Sequence, residues 1–347
     1  MVFPALFLSC ACGLQFWFYV PSLYQARTAG HIIDDTSLVG LRDVLAQPSV
    51  ANSGIPHILY AASGFTSVTA TAMILAGSML ERERLRLSLL FLLCWTTFDC
   101  YFIRSGIPRA GFCNLVSMIT LARGPCISPV ALGPLPGRYS LVLATDIPMA
   151  NPLQDSLASG LITRCLFLGQ CASATNLSLC SIYVVINTNF AACGGGIAWA
   201  ALDYAFECQF SIFGLCSSII AGLVGVTPAA GLVYAHVSVL VGAVTATCRV
   251  LATRHMHFIS IDDGLEIFAI HGVGGYVGDV LTGFFATSFV PALDGISGSS
   301  YTDCWWNEHW RQVGYRLAAA TMCAAWSFAI SCPAVHYQQD PRMPGQS

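Results

Sequence analysis

The sequence predicts an all-α, polytopic transmembrane helix bundle, and three observations carry that expectation. The 347 residues are 55% hydrophobic and only 10% charged, against about 25% charged in soluble domains. The apolar runs are long and continuous rather than alternating, which selects helices over a barrel. One such run, Asp262 to Ala286, is long enough to cross about 30 Å of hydrocarbon at 1.5 Å per residue, and it carries one histidine at its centre. The net charge of −3 gives no footprint for a nucleic-acid partner. The sixteen cysteines are scattered, and most lie inside apolar runs (Cys94, Cys165, Cys193, Cys216, Cys248, Cys323). They read as small buried hydrophobes, not as metal ligands or a disulfide framework.

Met1 to Tyr24 is apolar with aromatic residues at its far end, Phe16 to Tyr19, an interfacial belt pattern. No basic residue precedes it and no cleavage site follows, so it reads as a retained helix. Arg27 to Gly54 is a polar connector. The next apolar run, Pro56 to Leu80, stops at Glu81-Arg82-Glu83-Arg84-Leu85-Arg86, and clustered arginines in a short loop mark a cytoplasmic side. Phe65 reads as a packing residue on this helix. Leu87 to Ile103 is apolar around Trp95 and Asp99. Pro108 to Pro152 is irregular, since Pro129, Pro134 and Pro136 each break helical continuity at about 3 kcal/mol or more.

The second half is more regular. A short apolar run over Gly160 to Gln170 leads to Cys171-Ala-Ser173-Ala-Thr175 and the sequon Asn176-Leu-Ser178. Tyr183 to Leu202 is a helix ending at Asp203-Tyr204. Phe213 to Val233 is a second, with Thr227-Pro228 marking a kink or end. Ala235 to Leu251 is a third, closed by Arg249, Arg254 and His255 as charges of a cytoplasmic loop. Pro291 to Gln312 is polar and aromatic, with Trp305, Trp306 and Trp310 suited to a membrane surface. Val313 to Ala329 is the last helix.

Asp262 and Asp263 open the central run at a polar boundary, where carboxylates favour a helix N-terminus. Glu266 and Phe268 follow, then His271 with Gly272, Gly274, Gly275 and Gly278 directly after it. An imidazole at membrane depth must face a partner or a cavity. Small residues beside it admit a neighbouring helix. A glycine-cradled phosphate is excluded by the absence of Lys-Ser/Thr and of a preceding strand. A hydrogen-bonded core histidine remains the plain alternative to a pore histidine.

This stretch resembles the signature of the ammonium transporter family, fungal members above all, which reads Asp-Asp, then Asp-x-Phe, then Val-His-Gly-Val-Gly-Gly. Here those positions are Asp262, Asp263, Glu266, Phe268, Ile270, His271, Gly272, Val273, Gly274 and Gly275, with Glu266 in place of an aspartate. The resemblance covers Gln15 to about Trp95 and Ser159 to about Ser331. It implies roughly nine helices, with no counterpart of the family's first helix and an irregular region where its fifth should lie. Residues 1–335 would be a single membrane domain, with 108–152 a divergent segment and 336–347 a short polar tail. It further implies ammonium or ammonia as substrate, no cofactor, a multi-pass place in the plasma membrane, and a homotrimer or a hetero-oligomer with paralogues.

Residue by residue, the resemblance places His271 in the pore and Ser173 near an outer ammonium site, with an ordinary helix-turn serine as the alternative for the latter. Asp262, Asp263, Glu266, Phe268, Gly272, Gly274 and Gly275 support the pore helix. The family's two gating phenylalanines fall on Ser67 and Gly169. Its second pore histidine has no counterpart, for no histidine lies between His57 and His236. A degenerate family member that does not itself transport, serving as a subunit or sensor or being a pseudogene-like product, is therefore the alternative function. A membrane enzyme pairing His271 with Asp262 or Asp263 is disfavoured, because eight or more residues separate them, over two helical turns.

Overall fold

The structure is a computed structural model. It describes residues 10–11, 14–15, 56–58, 93, 179–208, 211–258, 266, 268–294, 310–318 and 320–321. The chain divides into two compact units, and every fully described helix lies in the one that includes Arg138–Thr321. In the other unit the Gln15 side-chain amide donates to the Leu93 carbonyl at 2.9 Å, and His57 is buried. Asp262, Asp263, Ser173, Phe65 and the 108–152 segment lie outside the described residues, and of the helices expected before residue 179 only residues 10–11, 14–15, 56–58 and 93 are described.

The first helix, α1, runs Leu179–Glu207, and its 29 residues span about 44 Å. It is mostly apolar, and its polar side chains Asn187, Thr188, Asn189 and Asp203 each hydrogen-bond to backbone. Leu179, Ile182, Ile186, Phe190, Ile197 and Tyr204 are exposed along one face, while Val184, Asn187, Thr188 and Ala191 are buried along the other. Cys193 falls on the exposed face, so the expected burial of that thiol is not met: its position places it with Ile186, Phe190 and Ile197. Two helices among the described residues have the length and composition to cross a membrane, Ile182–Phe206 of α1 and Ala235–Met256 of α3.

A tight corner joins α1 to α2, which runs Ile212–Val226. The backbone N–H of Ser211 donates to the buried Asp203 carboxylate at 2.6 Å, and the Ser211 hydroxyl caps α2 by accepting from Gly214 N–H at 3.2 Å. The expected helix over Phe213 to Val233 ends sooner, at Val226. Pro228 supplies no N–H, and the chain turns through 227–233 with Ala229 and Ala230 both donating to the Val226 carbonyl. Asn187 of α1 secures these turns by donating to Ala230 O at 2.7 Å and Val233 O at 2.9 Å. The next helix, α3, runs Ala235–Phe258, a turn or two beyond the sequence expectation.

These three helices meet at small residues. A Cβ added to Gly222 of α2 would lie 2.5 Å from the Ala191 carbonyl oxygen, and Gly242 of α3 approaches that same carbonyl. Hydrocarbon gives no hydrophobic drive for helices to associate, so such close backbone packing and interhelical hydrogen bonds hold them. Val184, Ala191, Val226, Ala229, Ala230, Val233 and Val241 form the apolar core. Buried hydroxyls of Thr188, Thr245 and Thr282 each donate to a carbonyl one turn back in their own helix.

The central run is not one uniform α-helix. Phe268–Val273 forms a π-helical turn, and α4 follows at Gly274–Phe285. Glu266, just before it, sits in the left-handed region at φ 53°, where a side-chain-bearing residue costs roughly 1–2 kcal/mol. At the far end, Thr287 N–H donates to Leu232 O at 2.6 Å, tying α4 to the α2–α3 turn. Pro291–Asp294 is a short 3-10 turn. A further helix, α5, covers 311–318 and begins two residues before the expected Val313.

Candidate functional site: the histidine-bearing π turn

A π turn has a wider helix with an inserted residue, and such turns recur where a side chain must be aimed at a function. Here it packs against both α2 and α3. Ile270 is buried against Ile220, Ala221 and Val224 of α2. Gly274 lies where an added Cβ would be 3.3 Å from Thr245 Cγ2 of α3 and 3.6 Å from Val224 Cγ1. One helical turn on, Gly278 meets the Gly225 backbone. Glycine at these points lets the whole segment sit down on its neighbours. Ala269, Ile270, Gly272, Gly274 and Gly275 are buried, and Phe268 is half-buried.

His271 is half-buried on this turn, and its ring has no hydrogen-bond partner among the described residues. An imidazole can donate from one nitrogen and accept at the other, so an unpartnered ring can hand a polar species on. Of the support residues expected from the sequence, Glu266, Phe268, Gly272, Gly274 and Gly275 gather with His271 on this one stretch.

Glu266 has a partner that the sequence reading missed. Arg249 of α3 is 1% exposed, and its guanidinium forms an ion pair with the Glu266 carboxylate. The same guanidinium donates to Ser218 Oγ of α2 at 3.1 Å and lies 5.1 Å from the centre of the Trp199 ring on α1. Arg249 is therefore not a loop charge. It lies seven residues inside the end of the span at Met256, about 10 Å by helical rise, and its charge is taken up by Glu266. Arg254 and His255, one to two turns further on, are exposed, and Arg254 stacks 3.9 Å over the Phe206 ring. A cation within an otherwise apolar span was the signal available for Arg249. A second missed pair joins Asp279 of α4 to the buried Arg316 of α5 at 2.7 Å.

The sequence profile of the Ammonium Transporter Family matches residues 168–337 of this chain, which takes in every fully described helix. Ammonium transporter 1 of Schizosaccharomyces pombe is 32% identical over 345 residues, a match that covers 96% of this chain and 68% of the relative. The chain belongs to the ammonium transporter family. Ammonium transporter MEP2 of Saccharomyces cerevisiae is 34% identical, across 95% of this chain and 69% of its own length. The crystal structure of Saccharomyces cerevisiae Mep2 superimposes with a TM-score of 0.84 at 31% identity, covering 98% of this chain and 80% of that one. As a member of the ammonium transporter family, the chain is an integral membrane transport protein of helical fold and not an enzyme.

Proposed function

We propose that this chain conducts ammonium or ammonia across the plasma membrane through a path within each subunit of a polytopic bundle, with His271 lining that path. The observation that carries the reading is the half-buried imidazole on a glycine-packed π turn, which has no hydrogen-bond partner among the described residues. A bare ammonium ion cannot enter hydrocarbon without a large loss of hydration. Its passage requires groups that replace water, and an imidazole can both donate and accept hydrogen bonds. Ser173 would offer a hydroxyl at the outer site, and Asp262 and Asp263 would orient the entrance of the central run. Phe268, Gly272, Gly274 and Gly275 would hold the ring in register. The subunits would assemble as a homotrimer or with paralogues.

Radiolabelled methylammonium uptake in transporter-null cells tests this reading. Uptake above the null background is expected. His271→Ala should reduce it about 100-fold or more, the low end of a lost general acid–base contribution, at unchanged surface amount. A wild-type chain that reaches the surface and carries nothing would return it to the non-transporting alternative.

A further inference from the structure

We infer that Arg249 is a positioning residue for the pore: its ion pair with Glu266, braced by Ser218 and Trp199, fixes where the π turn begins and so where the His271 ring stands. This rests on the proposed role of His271 and adds residues from three other parts of the fold to it.

Three observations converge on Arg249. First, it is one of the largest fully buried side chains among the described residues, and it sits inside an apolar span. A cation there is expensive and is retained where it has a specific partner. Secondly, its contacts come from every helix around the site: Ser218 on α2, Trp199 on α1, and Glu266 ahead of the π turn. Thirdly, Glu266 holds a left-handed backbone at φ 53° that an isolated chain would leave. The Glu266 carbonyl accepts from Ile270 N–H at 2.8 Å, so the strained residue also starts the turn that carries His271. Tension on the Glu266 side chain is thereby passed, within five residues, to the imidazole. The Arg249 Nε remains without a partner, so the guanidinium is oriented by its two terminal nitrogens.

The fold-holding and positioning roles separate in a double variant. Removing one partner alone leaves a buried charge uncompensated, and Arg249→Met or Glu266→Gln is expected to lower the surface amount. Replacing both partners removes the stranded charge and often restores stability. The pair Arg249→Met with Glu266→Gln should therefore reach the surface at wild-type amount. Its maximal methylammonium uptake should nonetheless fall about 10- to 100-fold, the usual penalty for displacing a reacting group by about 1 Å, with KM unchanged. Glu266→Asp, which keeps the charge but shortens the reach, should fall between the two.

Hydrogen–deuterium exchange on the purified wild-type and double-variant proteins gives a readout independent of transport. Exchange should rise about tenfold across Phe268–Val273 and stay unchanged across Ile182–Phe206, a local opening rather than a global one. Wild-type maximal uptake in the double variant overturns the inference. So does exchange that is unchanged, or that rises evenly through all helices. Should the wild-type chain carry no methylammonium, the proposed function fails, and the exchange comparison still decides whether Arg249 sets the turn.

Discussion

Gly222→Ala is the sharpest test of how the helices are held. The added Cβ would lie 2.5 Å from the Ala191 carbonyl oxygen, 3.2 Å from its carbon and 3.5 Å from Gly195 Cα. A carbon and a carbonyl oxygen pack at about 3.3–3.6 Å, so α1 and α2 must part by about 1 Å. The obstructing atoms are backbone, and no rotamer change relieves them. Gly242 of α3 presses on the same residue, so Ala191 cannot retreat towards α3. Overpacking of this kind costs about 1–3 kcal/mol. Gly314→Ala is the matched control: nothing lies within 4 Å of its added Cβ, and it sits inside α5, where alanine gains up to about 1 kcal/mol of helix propensity. Thermal melting of the purified protein in detergent, followed by size-exclusion of the surviving fraction, measures both. Gly222→Ala should melt lower than wild type and Gly314→Ala should not. Equal behaviour of the two variants would refute the close α1–α2 approach.

Two further substitutions test the buried polar contacts. Asn187→Leu removes both donors to Ala230 O and Val233 O and should destabilise the protein by about 2–3 kcal/mol, at about 1 kcal/mol for each lost bond plus carbonyls left dry; SDS unfolding titrations report it, and a change below about 0.5 kcal/mol would contradict the geometry. Arg316→Met strands the Asp279 carboxylate and should cost about 3–5 kcal/mol in the same titration, most of which adding Asp279→Asn should recover.

Much of the fold was legible from the sequence because bilayer helices must satisfy their own backbones, which makes long apolar runs unambiguous. The helices around Tyr183 to Leu202 and Ala235 to Leu251 lie where the runs predict, and Pro228 ends its helix as a residue without N–H must. The helix ends were less legible. The α1–α2 corner depends on Asp203 reaching Ser211 eight residues away, a contact that no local pattern announces. The π turn was invisible for a related reason: Phe268 to Phe285 has the same apolar composition whether it winds with one residue more or fewer per turn. Cys193 shows the limit of hydropathy in a membrane protein, since an apolar residue can face lipid as readily as core. Arg249 was misplaced because a charge near the end of an apolar run usually marks a boundary. Its true role depends on Glu266, seventeen residues later.

The distribution of charge along the central run argues for where its function lies. Glu266 stands before the π turn and Asp279 within α4, and each is taken up by an arginine on a different helix, Arg249 on α3 and Arg316 on α5. The run is thus clamped at two points 13 residues apart (279 less 266), about 20 Å along a helix axis. Between them His271 is the only imidazole, and it has no counter-charge or hydrogen-bond partner among the described residues. Both part-buried carboxylates are paired, whereas the half-buried ring between them has no such contact among the described residues. Anchoring on either side with the ring between them suits the role proposed for His271 in passing a small polar cargo. The two ion pairs limit how far the ring can shift toward a compensating contact, which keeps it available to a cargo on the proposed path.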